Sequence, residues 1–119
     1  ACDRSMTEPF DNPIAVDREG VPVSLAPDRW RTKIGGSHPE MLDRLADVVR
    51  AIELPDVVLQ DREFARRRHH LWRDDSGAFV TVVVQYTYTE HGIVGTVVTA
   101  FIRRRLRPGD VILFARGTP

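Results

Sequence analysis

Phe79-Val80-Thr81-Val82-Val83-Val84-Gln85-Tyr86-Thr87-Tyr88-Thr89, then Glu90-His91-Gly92, then a second run from Ile93 to Arg103, decides the fold. Valine, threonine, isoleucine and aromatic residues dominate both runs, and such side chains fit a pleated, half-buried surface. A short glycine-containing link between two such runs reads as a hairpin. Working backwards, Asp74-Asp75-Ser76-Gly77 is a second hairpin loop. It joins the run to an Arg-rich strand over Phe64 to Arg73, preceded by the short strand Val57-Val58-Leu59. Working forwards, Pro108-Gly109-Asp110 is a turn before a last strand, Val111 to Ala115.

Ahead of residue 57 the period changes from two to 3.6. A first helix is expected from Pro27 or Asp28, with Trp30 and Ile34 on one face and Gly35-Gly36 ending it. A second helix follows, capped by Ser37 or His38, with Pro39 in its first turn. Met41, Leu42, Leu45, Val48, Val49 and Ile52 form its apolar face, and Pro55 stops it. Val21-Pro22-Val23-Ser24-Leu25 reads as a short edge strand, because proline is tolerated at sheet edges. Helices followed by hairpins predict an α+β fold, with two N-terminal helices packed on one face of an antiparallel sheet of about four strands. Residues 1–20 are polar and contain Pro9, Pro13 and Gly20; they are expected as a flexible N-terminal arm, leaving 21–119 as a single domain.

Composition excludes several classes. The chain has 119 residues and a formal net charge of zero, from 17 basic and 17 acidic side chains. A uniformly basic nucleic-acid binder and an acidic disordered segment are both excluded. The zero conceals an asymmetry: residues 1–61 hold 7 basic and 12 acidic side chains, and residues 62–119 hold 10 and 5. Cys2 is the only cysteine, so neither a disulfide framework nor a cysteine metal site is expected. No apolar run approaches the ~20 residues of a membrane helix, and no secretory signal is expected.

Three clusters carry possible chemistry. The first is Trp30 to Glu40, where Lys33, the sole lysine, and His38 flank a double glycine and Glu40 follows. It reads as an ordinary helix cap, or as a place where backbone and charge approach an anion. The second is Arg66-Arg67-Arg68-His69-His70-Leu71-Trp72-Arg73. Alternation puts Arg66, Arg68, His70 and Trp72 on one face, and Arg67, His69, Leu71 and Arg73 on the other. Arginines beside aromatics suit a nucleic-acid backbone, and equally a charged strand that deters edge pairing. The third is Arg103-Arg104-Arg105-Leu106-Arg107, close after Thr99-Ala100-Phe101. Adjacent like charges there repel unless an anion or an acidic partner offsets them; alone, the cluster reads as a basic strand end in water, and beside the second cluster as part of a phosphate-binding face. His69 and His70 point to opposite faces of a strand and cannot chelate one metal, and His38-Pro39-Glu40 lacks the cysteine pair of a zinc deaminase. Neither a metal nor a cofactor is expected.

The run Leu25-Ala26-Pro27-Asp28-Arg29-Trp30, then Ile34, then His38-Pro39-Glu40-Met41, resembles the N-terminal helices of the phage and bacterial barnase–EndoU–colicin–RelE-like (BECR) nuclease domains. Leu54-Pro55-Asp56-Val57-Val58, Phe79 to Val84 and Val97-Val98-Thr99-Ala100-Phe101 extend the resemblance over roughly residues 21–116. It implies a metal-independent endoribonuclease, often a toxin module, in which the ribose 2′-OH attacks the adjacent phosphate. By resemblance His38 is the general acid or base, and Glu40 orients it or serves as base. Arg66 and Arg68 hold phosphate, and Thr99 hydrogen-bonds it. Lys33 stands where the resemblance leads one to expect a histidine. Lysine stabilises charge there, or acts as a base if its pKa falls. RNA contacts are expected from Arg67, His69, His70, Arg73, Arg103, Arg104 and Arg105. The implied partners are RNA and an antitoxin or immunity protein, with no membrane. The implied location is the cytoplasm, reached by delivery if the chain belongs to a larger toxin. The alternatives are a non-catalytic RNA- or phosphate-binding module of the same fold, and a protein-interaction domain with a basic face.

Overall fold

A computed structural model of the chain describes residues 13–117. Seven strands form one sheet: β1 (Ala15–Val16), β2 (Pro22–Ser24), β3 (Val57–Gln60), β4 (Arg67–Arg73), β5 (Phe79–Thr89), β6 (Gly92–Arg103) and β7 (Val111–Ala115). Their order across the sheet is β1-β2-β6-β5-β4-β3-β7. All neighbours are antiparallel except β2 and β6, which pair parallel, so the sheet is mixed.

This corrects the expected fold. The sheet has seven strands rather than about four, and two of them precede the helices, which are therefore not N-terminal. The difference starts at residues 13–20, which belonged to the expected arm. There Ile14 N–H donates to the Val23 carbonyl (2.9 Å) and Asp17 N–H to that of Val21 (2.9 Å), closing a small hairpin. Its turn ends on Gly20, at φ +87°. The Asp17 carboxylate accepts the Glu19 and Val21 N–H groups and holds that turn. Residues 1–12 of the expected arm, with Cys2, lie outside the described residues. β2 is not an edge either. Val21 and Val23 turn their backbone groups to β1, and pairing with β6 starts only at Val23. The missing N–H of Pro22 thus falls where no ladder bond is required.

The helical segments also depart from expectation. Helical backbone begins at Pro27 and continues through a π-helical stretch, Arg29–Ile34, into α1 (Gly35–Ser37). The glycine pair lies inside the helix rather than ending it. A Cβ on Gly35 would stand 2.7 Å from Leu42 Cδ2, so the glycine permits close packing. The expected second helix is broken. Pro39–Met41 is a 3₁₀ turn, and α2 runs only over Leu45–Glu53. Arg44 marks the break: its guanidinium bonds Asp47 (2.9 Å) and Asp74 in the β4–β5 turn (2.9 Å). Hydrogen bonds from Ser76 and Arg44 hold the Asp74 carboxyl down at about 2.

The helices cover one face of the sheet. Trp30, Ile34, Met41, Val48, Ala51 and Ile52 bury against Val80, Val82, Val84, Val97 and Ala100. On the opposite face Leu106, from the β6–β7 loop, packs against a smaller cluster of Val57, Leu59, Leu71 and Phe79. The inner residues of that second face, Leu71, Phe79, Thr81 and Val83, are also buried, and its accessible part lies beside the loops, which decides where the site lies.

Candidate functional site

The open face carries the alternate residues of each strand. Pairing sets them in rows: His69, Val83 and Thr99 lie abreast, as do Leu71, Thr81 and Phe101, and then Arg73, Phe79 and Arg103. Arg67 stands at the other end, bonded through Nε to Gln85 Oε1 (2.7 Å).

Two loops rise from this face and enclose a cleft of about 280 Å³, into which His69, Phe101 and Arg103 protrude. The β3–β4 loop supplies Asp61, Arg62 and Glu63; the β6–β7 loop supplies Arg107 and Asp110. Gln60 secures the first loop, its Nε2 donating to the carbonyls of Phe64, Ala65 and Arg67 (each 3.2 Å). Asp61 Oδ2 accepts the N–H groups of Glu63 and Phe64, and Oδ1 meets His69 Nε2 at 2.7 Å. Burial works against the Asp61 charge, but the His69 hydrogen bond and the two backbone N–H groups outweigh it and hold its carboxyl below the usual range. Asp61 is therefore the acceptor and His69 Nε2 the donor of this bond, an arrangement that in the neutral ring puts the lone pair on Nδ1.

Asp110 organises the second loop. It pairs with Arg103 (3.0 Å) and Arg62 (3.2 Å) and accepts the Arg107 N–H (2.7 Å). Burial again opposes its charge, yet these donors keep its carboxyl low. Gly109, at φ +89°, makes the bend that allows it. Among the described residues the Arg66 and Arg107 guanidiniums have no carboxylate partner.

The sequence-derived candidates divide among several places. His69 and Arg103 line the cleft, and Thr99 lies beside them on the same face. His38 reaches this neighbourhood past the β6 edge: its ring centroid is 5.7 Å from that of Phe101, and its Nδ1 is 3.7 Å from Glu40. Arg29 anchors that approach by donating to the Val98 carbonyl (3.1 Å). Lys33 is elsewhere, in an open groove with Asp28, Arg29 and Thr32. Arg66 and Arg68 lie at the other face, in a hollow with Tyr86 and Tyr88. Arg67 and Arg73 are on the open face, stacked on Phe64 and Phe79 at 4.1 and 5.0 Å. Arg104 and Arg105 are exposed in the β6–β7 loop. The geometry does not bring Lys33, His38, Arg66 or Arg68, and Thr99 into one pocket.

His70 is buried on the helix side, 2% exposed, and is not available to RNA. Its Nε2–H donates to Tyr86 Oη (2.8 Å), whose hydroxyl donates to Asp17 Oδ2 (2.8 Å). His70 Nδ1 has no hydrogen-bond partner among the described residues. Burial pushes the imidazole down to about 4.

Sequence reasoning passed over Asp61, Arg62 and Asp110, and placed Arg107 in a basic cluster without assigning it a contact. Each lies in a loop, where periodicity is silent. The available signal was an aspartate at each strand end, in position to cap the turn it opens or closes. Among the described residues no three of His, Cys, Asp and Glu stand close enough to hold a metal ion, and no helix is long and apolar enough to cross a membrane. The chain matches no protein-family model, no curated protein and no solved structure.

Proposed function

We propose that the protein is an endoribonuclease whose chemistry takes place in the open-face cleft, in keeping with the resemblance to BECR toxins. The observation that carries the reading is the 2.7 Å His69–Asp61 pair in a cleft lined by arginines. A carboxylate that fixes one imidazole nitrogen as a donor leaves the other as an acceptor, which is what a general base requires. In this reading His69 Nδ1 takes the proton of a ribose 2′-OH. The freed oxygen attacks the adjacent phosphorus, and the bond to the 5′-oxygen breaks. That leaving oxygen receives a proton from an acid, a role we give to His38, whose ring centroid lies 5.7 Å from that of Phe101 in the cleft wall. Arg107, which has no carboxylate partner among the described residues, offers charge to the pentacoordinate phosphate, while Arg103 stays paired with Asp110. The phenyl ring of Phe101 offers a surface for a base. Lys33, Arg66 and Arg68 have no part in the chemical step.

The test is turnover of a short RNA in excess EDTA. The wild-type protein is expected to cleave it to a 2′,3′-cyclic phosphate. His69→Ala is expected to lower kcat by roughly 10²–10⁴-fold. Asp61→Asn, which removes the fixed acceptor, should lower kcat by about 10–100-fold with little change in KM. RNA that binds without being cut would move the assignment to a non-catalytic binding module on the same face. Full activity in His69→Ala would refute the assigned base.

A further inference from the structure

Three consecutive arginines at the start of β4 each lie over an aromatic ring. Arg67 stacks on Phe64 at 4.1 Å, Arg66 on Tyr88 at 4.9 Å and Arg68 on Tyr86 at 5.6 Å. The feature spans the corner where the β3–β4 loop meets the far end of the β5–β6 hairpin. Arg67 is on the cleft's face, two strand positions from His69, while Arg66 and Arg68 turn to the opposite side. On that side Arg66, Arg68, Tyr86, Tyr88 and Ile93 line a hollow of about 110 Å³. Tyr88 is 65% exposed and Phe64 47%, which leaves ring surface open although an arginine already lies on each. Arg68 is held by Glu19 at 3.2 Å, whereas Arg66 has no carboxylate partner among the described residues.

Exposed rings interleaved with unneutralised guanidiniums are poorly explained by fold stability. They match the requirements of an unpaired nucleotide: an aromatic face for the base and a charge for the phosphate. Stacking is indifferent to base identity, and the guanidinium fork binds two phosphate oxygens. Arg66 is three positions from His69, about 10 Å along the chain at the strand repeat, but on the opposite side. A strand leaving the cleft therefore passes Arg67 and rounds the end of β4 to reach this corner.

We infer that the β4 corner is a second nucleotide-binding subsite, in which an unpaired base outside the scissile step stacks on Tyr88 and its phosphate pairs with Arg66. The inference rests on the cleft binding single-stranded RNA. The subsite makes affinity depend on oligonucleotide length: a dinucleotide fills the cleft alone, and a longer strand also takes the corner.

The experiment compares the binding of a dinucleotide with that of an unstructured oligonucleotide of about ten residues, within the site sizes that single-strand grooves cover. It uses a non-cleavable 2′-deoxy linkage at the scissile step. Wild type is expected to bind the longer strand more tightly. Tyr88→Ala should erase about tenfold of that length-dependent gain, the lower end of what one stacked base contributes. Tyr88→Phe, which keeps the ring, should retain it. Arg66→Ala should reduce the gain and its dependence on salt. An unchanged length dependence in Tyr88→Ala, with the dinucleotide still bound, overturns the subsite and leaves the cleft assignment standing. Failure of the wild type to bind either RNA overturns both.

Discussion

At the residue scale the least expected group is His70. The sequence offers it as a base-contacting cation; burial makes it a neutral member of an Asp17–Tyr86–His70 chain. A buried imidazole with one unpartnered nitrogen, near Arg68 and Arg18, cannot hold a second proton cheaply although Asp17 favours it, and its value falls from 6.5 to about 4. Burial and the Asp17 hydrogen bond push the Tyr86 hydroxyl well above its usual range, so it stays protonated and keeps donating to Asp17. The sign of the linkage follows. The unfolded chain protonates His70 as pH drops below 6.5, while the folded chain resists until about 4. The His70 contribution is therefore complete above pH 6.5 and is lost as pH falls toward 4, by about 3 kcal/mol at most. Urea unfolding at pH 7 and pH 4.5 measures it. His70→Phe should lose less stability between those pH values than wild type, and parallel losses in the two proteins would refute the neutral assignment. His69 next to it shows how an identical residue type diverges. Alternation along the strand turns it to the open face, where Asp61 meets it. The face of each histidine was legible from strand periodicity. Asp61 was not, because loop closure brings it back across eight residues of sequence.

At the scale of elements, the strands that announce themselves by long runs of branched residues were legible almost to the residue. β5 covers Phe79–Thr89 and β7 covers Val111–Ala115 as the pattern implied. The short elements were not. β1 has only two residues, and Ile14-Ala15-Val16 is too brief a run to separate from a polar arm. It pairs with β2, which in turn pairs with β6 far along the chain, a long-range contact that no local window records. The parallel β2–β6 contact centres on Gly95, where a Cβ would stand 2.8 Å from Val84 Cγ1 and 3.1 Å from Val23 Cγ2. Gly95→Ala forces these packed valines apart and is expected to cost about 1–3 kcal/mol. In a domain of this size that lowers Tm by at least about 4 °C. Gly36 is the control: it is exposed, with nothing within 4 Å of its added Cβ, so Gly36→Ala should be neutral or mildly stabilising. Thermal melts of the two variants decide the matter. Equal Tm values would mean that β2 yields readily and that the parallel contact contributes little.

At the scale of the whole molecule, a net charge of zero conceals a directional surface. Many of the carboxylates are spent on organising structure. Asp17 holds the first turn, Asp74 ties α2 to the β4–β5 loop, and Asp110 gathers Arg62 and Arg103. Arg66 and Arg107 have no such partner among the described residues, and Arg104 and Arg105 are exposed. Composition could locate the basic half of the sequence, but not which of its charges would be neutralised internally. If RNA occupies both cleft and corner, about three or four phosphates should be met. The logarithm of affinity should then fall with the logarithm of salt with a slope of roughly −2 to −3. Raising salt from about 50 to about 200 mM should weaken binding roughly 15- to 60-fold. For a cleaved RNA this should appear as a rise in KM with kcat nearly constant, since screening acts on association more than on the enclosed step. Arg107→Ala and Arg66→Ala should each make the slope shallower by about one phosphate's share. Arg62→Ala should change it less, because Asp110 already offsets that charge. A slope near zero, or one that Arg62→Ala and Arg107→Ala reduce equally, would show that the internal pairing of charges does not determine where the molecule meets its anion.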